Sequence, residues 1–225
     1  MPARLLLRLR QPFLGLVSRA AAFGAERSGV AAVEFALVLP VMTVLFFGLA
    51  EVGTAVAIDR KVTLLARSLA DLSSRDNEQT TDTLKAVFAA SSAIMRPYDD
   101  SIKNKTQMVI SSVVVTQSGS TYTGAIAWSC GRNINANTET DPTKKAAFAA
   151  ANLSVRQSGA SYAVPAGFQS STTKSFILAE TLFPYDSSVA IFFKATKRLS
   201  EEMPWPVRNG DKVAGPSTAN CPPNK

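Results

Sequence analysis

The sequence predicts an α+β protein: one long N-terminal helix followed by a small antiparallel sheet with helices packed on it. Three observations carry this reading. Residues 35–50, FALVLPVMTVLFFGLA, contain no charged side chain. Beyond them Ile58, Val62, Leu65, Leu69 and Leu72 recur at steps of 4, 3, 4 and 3, a heptad seam that puts one apolar stripe on a helix. Beyond Pro97 the chain turns to β-branched stretches punctuated by Gly and Ser, the signature of short strands and turns.

The helix comes first. Extending the apolar run to Val30 and Ile58 adds only Glu34 and Glu51 as charged residues. About 20 apolar residues suffice to cross a hydrocarbon core of about 30 Å. A core helix of a soluble protein shows one apolar face, whereas residues 35–50 are apolar all round, so a transmembrane helix is expected over 30–58. Pro40 and Gly48 are tolerable in such a helix. Between Thr54 and Ser74 there is neither Gly nor Pro. The helix is therefore expected to continue through an amphipathic extension, 59–74. A single helix from Val30 to Ser74 would be about 67 Å long at 1.5 Å per residue.

Charge sets the expected orientation. The net charge is +7, but residues 1–29 carry Arg4, Arg8, Arg10, Arg19 and Arg27 against Glu26 alone. More than half of the excess thus lies in a basic leader, and the remainder has no Lys/Arg run interleaved with aromatics, so no nucleic-acid partner is expected. Positive charge before the span places the N-terminus inside and the C-terminal part outside. Arg60, Lys61 and Arg67 follow the span closely, so the bias is modest. A cleaved secretory signal fits less well, because Phe13–Val17 is short and Arg19 interrupts it. A mitochondrial presequence stays open as an alternative, since residues 1–25 are Arg-rich and free of acids.

The exported part, 75–203, reads as one modest domain joined by the polar link 73–83. Thr81 or Asp82 caps an expected helix with Leu84, Val87, Phe88, Ser91 and Met95 on one face, and Pro97 ends it. Four strands are expected: Met108–Thr116, Tyr122–Ser129, Ser175–Phe183 and Val189–Ala195. Gln117–Ser120 is of hairpin length. Pro142–Asn152 reads as a short crossing helix, and Phe192-Phe193 as core on one side and sheet edge on the other. The five prolines of 204–225 suggest a loop or extended tail, with Trp205 packed on the domain as an anchor.

Composition narrows the chemistry. The chain has no histidine, the commonest general base and metal ligand. Two cysteines cannot build a zinc site of several thiolates and imidazoles. There is no GxSxG and no Gly-rich phosphate loop, so neither an enzyme nor a cofactor is expected. In an oxidising compartment the even count fits one disulfide, Cys130–Cys221, the alternative being two unrelated thiols.

At the edge of the span stands Ser28-Gly29-Val30-Ala31-Ala32-Val33-Glu34-Phe35: a glycine closes the basic leader and a lone glutamate follows five residues later. This resembles a type IV prepilin processing site. More narrowly, GVAAVEFALVLPVMTVLFFGLAEVG resembles the N-terminal segment of the TadE/TadG family of tight-adherence (Flp, type IVb) pilus proteins. The resemblance covers about 27–72 and includes Leu64-Leu65-Ala66-Arg67; Pro97-Tyr98 and Phe183-Pro184-Tyr185 are compatible with it. It implies a pilin-like helix and a minor pilin or pseudopilin of a bacterial inner membrane. The implied partners are membrane lipid, other pilins of a Tad/Flp system, a prepilin peptidase and the inner-membrane pilus platform. It further implies cleavage between Gly29 and Val30, with Glu34 as an assembly residue at the fifth mature position. A carboxylate near lipid is costly unless paired, and the new ammonium of Val30 on a neighbouring subunit could pair with it. Glu34 as a plain interfacial residue is the bland alternative. For the whole chain, a signal-anchored periplasmic scaffold that is never processed is the competing reading.

Overall fold

The computed structural model describes residues 28–99, 105–133, 152–186, 197–216 and 221–222. The chain divides into two units, Met1–Ala50 and Glu51–Lys225. Helix α1, Ser28–Ser73, contributes to both.

In the first unit the described residues, 28–50, are helical, and 29–50 are exposed nearly throughout. Phe35, Leu37, Phe46 and Leu49 are each more than 65% accessible, on different sides of the helix. Burying a large aliphatic or aromatic side chain stabilises by about 1.5–3 kcal/mol, so this surface is poorly suited to water. Pro40 removes one backbone donor inside the helix. Thr43 Oγ1 donates to the carbonyl of Leu39, the residue ahead of the proline, at 2.8 Å.

The second unit is a helix layer on a five-stranded antiparallel sheet. From α1, Ile58, Val62, Leu65, Ala66, Leu69 and Ala70 are buried to 3% exposure or less. Four of the five positions of the heptad seam are therefore core, while Leu72 is half-buried and Ser73 is fully buried in its place. Ser73 tolerates this because its hydroxyl donates to Leu69 O at 2.7 Å. Helix α2, Thr81–Ser92, adds Leu84 and Phe88, and a 3-10 turn, Ala93–Met95, adds Met95. Its cap is Thr80 and not Thr81 or Asp82. Thr80 Oγ1 accepts from Thr83 N at 3.2 Å, and Thr83 Oγ1 accepts from Thr80 N at 2.7 Å, so a threonine closes the reciprocal cap where Glu or Gln is usual.

The strands are β1 Gln107–Ser118, β2 Thr121–Arg132, β3 Ser161–Tyr162, β4 Ser175–Tyr185 and β5 Lys197–Pro206. Their spatial order is β3-β2-β1-β4-β5. The β1–β2 hairpin turns at Gly119, whose φ of 61° explains the glycine. Odd residues of β4, Ile177, Ala179, Phe183 and Tyr185, join the helix-side core, whereas Phe176 and Leu178 join a second cluster with Val113, Val115, Ile126 and Val164. The sheet is thus apolar on both faces. Gly124 lies where a Cβ would meet the Tyr162 carbonyl oxygen at 2.7 Å, so only glycine lets β3 pair there.

Three expectations change. The sheet has five described strands, where four were expected, and β3 and β5 are the additions. Pro204–Pro206 is the end of β5 and no tail: among the described residues β5 is an edge strand, paired with β4 alone, and an edge tolerates residues that cannot donate to a ladder. Trp205 accordingly packs against the helix-side core from within a strand. The expected strand Val189–Ala195 with Phe192-Phe193, and the expected helix Pro142–Asn152 up to residue 151, lie outside the described residues.

After β5 the chain straps the helix link to the sheet. Gln79 N donates to Ala214 O and Ala214 N to Asn77 O, both at 2.8 Å. Val213 is 2% exposed, and its carbonyl accepts from Trp128 Nε1 at 2.9 Å. Gly215 lies so close to the indole that a Cβ would stand 2.3 Å from it.

Candidate functional site

The residues singled out from sequence fall into two groups. Gly29, Val30 and Glu34 occupy the first turns of α1 and are exposed. Among the described residues no atom outside its own helical turn lies within 4 Å of where a Gly29 Cβ would stand, so their packing does not require a glycine there. Val30 and Glu34 are four residues apart and share one helix face. Cys130 and Cys221, in the second unit, are joined in a disulfide with Cα atoms 5.4 Å apart, inside the usual range. Cys130 is fully buried in the helix-side core, so the bond draws residues 221–222 onto β2.

Two polar constellations were not anticipated. Glu51, to which the sequence assigned no special role, accepts a hydrogen bond from the Tyr185 hydroxyl. Tyr185 is 7% exposed, so burial first, and then the Glu51 carboxylate, raise its pKa above the ordinary value near 10. The alternation of β4 is the signal that could have found this contact, because it puts Tyr185 on the same face as Ile177 and Phe183. On the opposite face Arg156 Nε and Nη2 form a fork on Glu180 at 2.9 and 2.7 Å. The guanidinium lies 5.2 Å from the centre of the Tyr162 ring, and the Tyr162 hydroxyl donates to Glu202. The hydrogen bond to Glu180 raises the pKa of Arg156. Burial and then Glu202 raise that of Tyr162. Arg156 N also donates to Ser129 Oγ at 3.1 Å, so the group fastens the segment before β3 over the second face.

Both tyrosines have folded-state pKa values above their unfolded ones. Each therefore contributes stability that is complete below pH about 10 and is lost as pH rises further. Titrating the fold by circular dichroism from pH 8 to 12 should show alkaline destabilisation that Tyr185→Phe with Tyr162→Phe flattens. A slope unchanged in the double variant would mean these hydroxyls do not set it.

The apolar exposure of residues 28–50 remains to be accounted for. Among the described residues α1 is the one helix long and apolar enough to cross a membrane. Its first 23 residues would span about 34 Å at 1.5 Å per residue. Residues 29–71 match the family of TadE-like proteins. No curated protein and no solved structure matches the chain. The TadE-like segment takes in the exposed apolar helix and the buried seam but ends before α2. It contains Gly29, Val30 and Glu34 and points to involvement in tight-adherence pilus assembly, consistent with a membrane-anchored protein. The sheet unit is reached only through its own geometry.

Proposed function

We propose that this chain is a minor-pilin-like or pseudopilin-like subunit of a tight-adherence (Flp, type IVb) pilus, with a structural and not an enzymatic role. The observation that carries the reading is the TadE-like match on a helix whose first half is exposed and apolar on every side. On this reading α1 sits in the bacterial inner membrane with the basic leader in the cytoplasm and the sheet unit in the periplasm or on the pilus. The disulfide supports that side, because cytosolic thiols stay reduced. A prepilin peptidase cuts between Gly29 and Val30. The glycine's freedom from any packing duty in the fold supports a role outside it. Glu34 then lies one turn from the new ammonium group and offers a partner to that of a neighbouring subunit, which lowers the cost of a carboxylate at the lipid edge.

Co-expression with a prepilin peptidase tests this. The native protein should begin at Val30 by intact mass, and Gly29→Ala should remain at full length. Identical migration of the two, both retaining Met1 or Pro2, removes the processing step and favours the unprocessed periplasmic scaffold.

A further inference from the structure

The sheet unit has two unlike ends. At one, β4 finishes at Tyr185, whose hydroxyl reaches Glu51, the first residue after the apolar run. Lys197 and Arg198 open β5 opposite Tyr185 and Pro184 and are exposed. Arg132 closes β2 opposite Met108, and Lys105 precedes β1. On the helix side Lys61 donates to the carbonyls of Ile94 and Arg96, which brings the exposed Arg96 to the same end of the unit as Arg60. Among the described residues the acids there are largely engaged: Glu51 by Tyr185, Asp99 by the amides of Lys105 and Thr106, and Asp186 by Lys105 at 3.4 Å. Asp59 is exposed. The other end is balanced, with Arg75 and Arg208 both on Asp71 and with Asp76 and Glu78 nearby in sequence.

We propose that the basic end, led by Lys197 and Arg198, docks on the phosphates of anionic phospholipid headgroups at the surface from which α1 emerges. This rests on the membrane reading above. Continuity of the chain argues for lipid over another occupant: the basic end is the one bonded to Glu51, and Glu51 follows directly on the apolar run, so no other end of the sheet unit is tethered so closely to the surface that run would enter. Tyr98, half-buried with Lys61 5.6 Å from its ring centre, is of the residue type that favours a membrane interface. Charge complementarity does the rest, since each Lys or Arg near an anionic surface contributes to binding and the attraction fades within a Debye length. Docking would fix how the sheet unit stands on the bilayer before assembly.

The full chain should be placed in nanodiscs of phosphatidylcholine alone and of phosphatidylcholine with phosphatidylglycerol, and amide hydrogen exchange followed at 105–108 and 197–200. Exchange there should be slower in the anionic discs. Lys197→Gln with Arg198→Gln should reduce the docked-to-free ratio by about thirtyfold, and 0.5 M salt should act in the same direction. Equal exchange in both lipid compositions overturns the proposal, and the salt arm decides the matter without relying on the variant. Protection that instead depends on protein concentration assigns the basic end to a protein partner and also overturns it. A chain that fails to enter discs of either composition sinks the membrane reading itself, which is a distinct result.

Discussion

Removing the Cys130–Cys221 crosslink, by Cys130→Ser with Cys221→Ser, should lower the stability of the sheet unit by up to about 4–5 kcal/mol. The bond joins residues 91 apart, and a loop of that size restricts the unfolded chain strongly. Mutating both cysteines avoids a reactive leftover thiol. The check is chemical unfolding of the full chain in mild detergent, followed by the fluorescence of Trp128, which is 4% exposed when folded. The midpoint should fall and the denaturant dependence should steepen, because the unfolded state is free to expand. A midpoint that does not move would mean the strap is held by its other contacts alone. Those contacts are real: Trp128 Nε1 to Val213 O, the Ala214 pairings and the core position of Val213. They belong to the folded state, whereas the crosslink acts mainly on the unfolded one, so the effects should be separable.

The long helix was legible because its two halves obey simple rules. An all-round apolar run and a heptad seam each leave a periodic mark, and Ile58, Val62, Leu65 and Leu69 are buried as the seam requires. β1, β2 and β4 were legible for the same reason, each carrying a long β-branched or apolar stretch. β5 was hidden because its faces are half-exposed and Pro204 and Pro206 read as breakers; that β5 stands at the edge of the described sheet is a tertiary fact. The faces of β2 were hidden too. Ile126, Trp128 and Cys130 alternate perfectly, yet the register shifts between Ser112 and Val113, so that Trp128 pairs with Ser112 and Ile126 with Val113. This leaves Ala127 extra, and a bulge of one residue flips the pleat. Trp128 and Cys130 then face the helices while Ile126 faces the second cluster. For the site, the processing segment stood out because it is local in sequence. Tyr185–Glu51 and Arg156–Glu180 join residues 134 and 24 positions apart: the alternation of β4 can put Tyr185 on the helix-side face, but no local pattern names the partner in either pair.

Leu64 and Leu65 offer the sharpest test of how α1 divides its work, because they are neighbours of the same type on the same helix. Leu65 is fully buried in the helix-side core, and Leu64 is 54% exposed. Leu65→Ala should cost about 2–5 kcal/mol, from lost transfer free energy plus the cavity left in the helix-side core. Leu64→Ala should change stability by no more than about 0.5 kcal/mol, since the helix propensities are identical to those at the neighbouring site and no core contact is lost. Urea unfolding of each variant, with the same detergent and the same disulfide state, gives the two values directly. Equal costs would show that the seam is not docked on the sheet. Unequal costs locate the stability of the sheet unit in one stripe of α1. The opposite stripe, with Val52, Val56 and Leu64 exposed at 62%, 46% and 54%, then has no part in holding this fold. Among the described residues nothing covers that stripe, and it continues the exposed apolar surface of 29–50 along the same helix.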